Sequence, residues 1–236
     1  MNRKLGAIFA TAVLGVTLFP FSALADDESH VGNHSGVHVN YNGTNVLDSS
    51  ARMKNNRVYA SVKAFSSFYG ATYTWESSTK TLKINGNTVS KAYGEFQKDD
   101  EVIIAPVIAM AEALGNFTSG WDKQSMTSNV TILPKGVVKL GPAVPQMGEH
   151  WANPKNMPLG PIFGIYNGKL VFLEVMPDKE LNKTVHDIPG TDGLPIPNKV
   201  DHFDIDWNPH GHEGDPVPHY DIHEYFISRA EQNQIQ

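Results

Sequence analysis

Hydrophobic and polar positions change rhythm several times along the chain, and each change predicts a different kind of element. Leu5 to Phe19, "LGAIFATAVLGVTLF", is nearly unbroken apolar sequence. A polar stretch follows, "DDESHVGNHSGVH", with His30, His34 and His38 at every fourth residue but two glycines and no apolar stripe, so it predicts a flexible tail rather than a helix. From "VHVNYNGTNV" onward the alternation is that of strands, with Asn42-Gly43 as a turn signal. Then a pattern occurs twice. "VYASVKAFSSFYGATYTWESSTKTLKI" (Val58–Ile84) and "VIIAPVIAMAEALGNFTSGWDKQSMTSNVTI" (Val102–Ile132) align with Ser61 on Pro106 and Gly70 on Gly115, an offset of 45 residues. Each copy predicts a short apolar strand, an amphipathic helix ended by its glycine, and a strand bearing Trp75 or Trp121.

Past Leu133 the rhythm breaks. "PKGVVKLGPAVPQMGEH" is rich in proline and glycine and predicts a boundary. "PIFGIYNGKLVFLEVM" predicts a hairpin with Asn167-Gly168 as a type I′ turn, setting Phe163 opposite Phe172. The stretch Pro177–Val200 predicts loop with at most a short helix. Two strands close the pattern, "DHFDIDW" (Asp201–Trp207) and "HYDIHEY" within "PHYDIHEYF" (Pro218–Phe226). The fold class expected from these elements is α+β: a two-copy strand–helix–strand module over 37–134, a linker over 135–145, and a mainly β domain with antiparallel hairpins over 146–236.

Composition sharpens this picture in two ways. Arg3 and Lys4 precede the first apolar run and "ALA" (Ala23–Ala25) follows it, which predicts a secretory signal peptide over 1–25 and an extracellular or cell-envelope location. No later run is long enough for a bilayer, so no transmembrane anchor is expected in the mature chain. Without Arg3 and Lys4 the 19 basic residues become 17 against 25 acidic ones, a balance that repels nucleic acid. The chain has no cysteine, which excludes a thiolate zinc site and a cysteine nucleophile. No "GxSxG" occurs to mark a serine nucleophile.

The chemistry collects near the end. Seven of the ten histidines lie from His150 onward. His202, Asp204 and Asp206 alternate with Phe203, Ile205 and Trp207, while His219, Asp221, His223 and Tyr225 share a face of the second strand. A hairpin register with Trp207 opposite Pro218 places His202 opposite His223 and Asp204 opposite Asp221. Opposed carboxylates repel unless a cation lies between them. His202, Asp204, His219, Asp221 and His223 are therefore the candidate ligands of a divalent or transition metal, with zinc first and copper or iron next. His150 and His212 are candidate additional ligands, with a structural or solvent-facing role as the favoured reading of each. A buried His/Asp/Tyr hydrogen-bond network and a solvated polar sheet face are the competing readings.

The repeat, with "APVIAMAEALG…WD" in its second copy, resembles the copper amine oxidase N-terminal-like (stalk) domain over Val37–Leu133. The resemblance implies an accessory module on an exported bacterial protein, with a cell-envelope component as partner and no oxidase chemistry. The motifs "MGEHWANPKNMPLGPIFGIYNGKLVFLE" and "VDHFDIDWNPHGHEG…VPHYDIHEYF" resemble a bacterial domain family of unknown function over Gln146–Ile227. Three functions follow as expectations. They are a non-enzymatic metal-binding envelope protein, a metal-dependent hydrolase with Glu174 or Glu149 as general base, and a structural module without metal.

Overall fold

A computed structural model describes residues 36–99, 101–177, 194–213 and 215–236, all within the compact unit Gly32–Gln236. The expected signal peptide, nearly all of the expected tail, and the expected short helix after Pro177 lie outside the described residues.

The described residues open with β1 (His38–Tyr41) and β2 (Thr44–Val46), turned at Asn42 and Gly43, both at positive φ. The first copy of the repeat contains β4 (Arg57–Ser61), preceded by β3 (Arg52–Lys54). It continues through α1 (Val62–Phe68), β5 (Tyr73–Glu76) and β6 (Thr81–Ile84). After β7 (Asn87–Thr88) and β8 (Gln97–Asp99) the second copy supplies β9 (Val102–Pro106), α2 (Val107–Leu114), β10 (Phe117–Asp122) and β11 (Thr127–Ile132). Ser61 caps α1 by accepting from the Ala64 N–H, and Gly70 and Gly115 stop the two helices at positive φ.

These strands form three sheets, ordered β10-β11-β1-β2, β3-β4-β9-β8 and β5-β6-β7. The two copies meet in the second of them. Ala60 pairs with Ala105, its equivalent at the 45-residue offset, and Tyr59↔Pro106 mirrors Ser61↔Ile104. The repeat thus pairs with itself about that alanine pair. Val62, Phe65, Val107 and Met110 from the helices close over Tyr41, Leu82 and Ile84, all fully buried.

The C-terminal sheet is ordered β12-β13-β14-β15-β17-β16. Its strands are β12 (Val138–Lys139), β13 (Glu149–Ala152), β14 (Ile162–Tyr166), β15 (Lys169–Val175), β16 (His202–Asn208) and β17 (His219–Tyr225), followed by α3 (Arg229–Gln232).

The α+β expectation is corrected by these elements. Seventeen strands in four sheets outweigh three α-helices of seven, eight and four residues among the described residues. Helices α1 and α2 last about two turns before their glycines, too short to build a layer of their own. The fold is mainly β, and α1 and α2 plug one core.

Two expected registers also change. Asn167 and Gly168 have the positive φ of a type I′ turn, but a bulge between Gly164 and Ile165 pairs Phe163 with Leu173 and Gly164 with Phe172. A Cβ on Gly164 would lie 2.0 Å from the Phe172 ring, so the ring occupies the space glycine leaves. The tip of this hairpin rests on the N-terminal sheets. A Cβ on Gly168 would meet the Gly120 nitrogen at 2.2 Å, while Thr131 Oγ1 donates to Gly168 O (2.9 Å) and Asn129 Nδ2 to Asn167 O (3.1 Å).

The second register is that of β16 and β17. They pair antiparallel, but Trp207 faces Tyr220 rather than Pro218, a slip of two residues. Proline has no N–H for the ladder, and Pro218 stays in the loop. No helix among the described residues is long and apolar enough to cross a membrane.

Candidate metal centre

Strand β17 is buried on its ionisable face. His219, Asp221, His223 and Tyr225 are all buried, whereas Phe203, Ile205 and Trp207 of the edge strand β16 point to solvent. The solvated-face reading therefore fails for the β17 residues.

The two-residue slip redistributes the expected ligands. Asp221 now faces Asp206, Asp204 faces His223, and His202 faces Tyr225. His202 stacks on the Tyr225 ring (centroids 4.7 Å, 15°) and places its ring nitrogens 2.9 Å from Asp201 Oδ1 and 3.1 Å from Gln232 Oε1. Asp204 is held by both guanidinium nitrogens of Arg229. Both captures come from α3, which folds back behind a capping box of Ser228 and Glu231 and carries Arg229 and Gln232 to β16. His202 and Asp204 are thus engaged elsewhere.

His212 joins His219 and Asp221 instead. The loop between the strands is drawn tight by reciprocal backbone bonds of His212 and Asp215, 2.9 and 3.1 Å. A Cβ on Gly211 would lie 2.4 Å from Asp215 O, which only glycine permits. His212 Nε2 then stands 3.1 Å from His219 Nε2 and 3.6 Å from Asp221 Oδ2, and His219 Nε2 lies 3.0 Å from Asp221 Oδ1. One ligand atom from each of His212, His219 and Asp221 falls within 4.8 Å of the others, so the group could hold a metal ion.

The tautomers follow from the backbone. His219 Nδ1 lies 2.6 Å from Val217 O and His212 Nδ1 lies 2.9 Å from Glu213 O. A carbonyl oxygen only accepts, so both Nδ1 atoms carry a proton, and a neutral ring then presents its lone pair at Nε2. Asn208 Nδ2 donates to Asp221 Oδ2 at 2.5 Å and aims that carboxylate. Two imidazole Nε2 atoms and a carboxylate thus converge on one point.

Beside this trio lies a second group that strand pairing assembles. Glu174 of β15 is the cross-strand partner of His223. Its carboxylate sits 3.4 Å from His223 Nε2 and 3.7 Å from His150 Nε2. Burial, reinforced by the charge of Asp221, pushes Glu174 up to about 8. Burial pushes His150 and His223 below the ordinary imidazole value; Asp221, Asp206 and Asp204 pull His223 partly back. Glu149, the other expected base, accepts from Lys139 Nζ (2.6 Å) and Trp151 Nε1 (3.0 Å) and is committed there. Asn208 and Asp215 carried no sequence signal as participants, since both depend on how the loop closes.

No family model matches the chain, and no curated protein matches it. Among solved structures, the hypothetical protein TTHB210 from Thermus thermophilus is similar over 39% of this chain and 88% of its own, with 26% identity and a TM-score of 0.35.

Proposed function

We propose that the protein binds a divalent transition metal at His212, His219 and Asp221 and acts as a non-enzymatic, exported envelope protein. One observation carries the metal reading: two imidazole Nε2 atoms held 3.1 Å apart, with a carboxylate oxygen 3.0 Å from one of them. As neutral acceptors beside an anion these groups would repel, and a shared cation removes the conflict. Donors of two nitrogens and one oxygen favour zinc, with copper and iron next. Export rests on the signal-like first 25 residues and on the resemblance of Val37–Leu133 to stalk domains of secreted proteins.

The experiment is elemental analysis of purified protein after dialysis, paired with thermal melts in chelator and in added zinc. An ion bound only by the folded chain raises the melting temperature, and chelator lowers it. If a proton rather than a metal bridges His212 and His219, the melting temperature ignores both additions, and the proposal fails.

A metal-dependent hydrolase is the second reading, and the exposure of His212 favours it. The His212 side chain is 42% exposed, so the trio opens to solvent on that side. Three protein ligands with a fourth position open to water are the pattern of catalytic zinc. Turnover of activated esters or phosphoesters that requires zinc and disappears in His212→Gln would establish it.

A further inference from the structure

We propose that Glu174 and His223, with His150 on the other side of the carboxylate, form a second cation subsite beside the first. The C-terminal sheet then holds two divalent ions. The proposal rests on the metal reading of His212, His219 and Asp221 and extends it.

Burial is the first observation. Glu174 and His223 are each 4% exposed. Glu174 Oε2 and both ring nitrogens of His223 have no hydrogen-bond partner among the described residues. Unsatisfied polar atoms this deep are rare, because each forfeits its hydration without replacement. Three of them on two facing side chains need a common cause.

Spacing is the second. Two ligand atoms bonded at about 2.0–2.1 Å to one tetrahedral ion lie about 3.3–3.4 Å from each other. Glu174 Oε1 and His223 Nε2 are 3.4 Å apart, too far for a good hydrogen bond and right for a coordination edge. On the other side Glu174 Oε2 and His150 Nε2 are 3.7 Å apart. The Phe172 ring, edge-on to both His150 (5.4 Å) and His223 (5.2 Å), packs these imidazoles in place.

Topology is the third. Asp221 and His223 are alternate residues on one face of β17, about 7 Å apart along the strand. Asp221 belongs to the first trio, with Oδ1 3.0 Å from His219 Nε2. The subsites are therefore neighbours on a single sheet face, built from β13, β15, β17 and the loop before β17. Nitrogen donors dominate both, which selects a zinc-like cation over calcium or magnesium.

The test uses the full chain, stripped with chelator, dialysed, and titrated with zinc alone by calorimetry and elemental analysis. The expected result is two zinc ions per wild-type chain. Glu174→Gln and, separately, His223→Gln should each bind one, His212→Gln should bind one, and the Glu174→Gln/His212→Gln double variant none. His150→Gln should weaken only the ion that Glu174→Gln removes, and a melt of each stripped variant confirms that it folds. One ion in the wild type, unaffected by Glu174→Gln, overturns the second subsite while leaving the first intact. One ion lost in both Glu174→Gln and His212→Gln also overturns it, since the residues would then share a single site. No ion in the wild type overturns the metal reading itself.

Discussion

His212 and His219 face each other through their Nε2 atoms at 3.1 Å, while each Nδ1 is bound to a backbone carbonyl. The backbone thus fixes a proton on Nδ1 of both rings and turns both Nε2 atoms toward each other. His212 sits on an exposed loop, so His212→Ala should lose the ion of its trio and leave the stripped protein's melting temperature nearly unchanged. His219 is 1% exposed, so His219→Ala should lose the ion and also destabilise the stripped protein. Calorimetry and thermal melts read both.

Acidification should release the metal. Coordination uses the same lone pairs that protons take, so affinity falls as the imidazoles protonate. Titrating zinc at a series of falling pH values should show a monotonic loss, with protons released to buffer on binding. A pH-independent affinity would be incompatible with histidine ligation.

His202→Ala and Asp204→Ala should leave zinc content unchanged, because α3 has captured both side chains. Their role is to tie β16 to the C-terminal helix. Burial acts to raise Asp204, but the Arg229 guanidinium bonded to it prevails and holds it below the usual carboxylate range. A depressed carboxylate stabilises the fold above its unfolded-state pKa, and that contribution is lost as pH falls through the folded value. The stability gap between wild type and Arg229→Ala should therefore be full at neutral pH and close at acid pH. Loss of zinc in either β16 variant would restore the other strand register.

Gly168→Ala tests how the hairpin tip sits on the N-terminal sheets. The added Cβ would meet Gly120 N at 2.2 Å and would strain a residue at φ +74°. The expected cost is about 1–3 kcal/mol, measured by denaturant melts.

The sequence by itself determined which face of β17 is chemical. Alternation of period two puts His219, Asp221 and His223 together in any register, and Asn167-Gly168 specified its turn through the φ angles it tolerates. Alternation does not determine register, because a slip of two residues leaves every side chain on the same face. That slip was decided by Pro218, which cannot join a ladder, and by the His212–Asp215 loop closure. It replaced Asp204 by Asp206 opposite Asp221 and brought in His212 from a loop that pattern cannot place. The α+β expectation failed similarly: a short helix reads alike in the sequence whether it forms a layer or fills a gap between sheets. Glu174 lies between His223 and His150 only because β13, β15 and β17 share one sheet, and pairing between strands tens of residues apart is set by the packing of the whole chain.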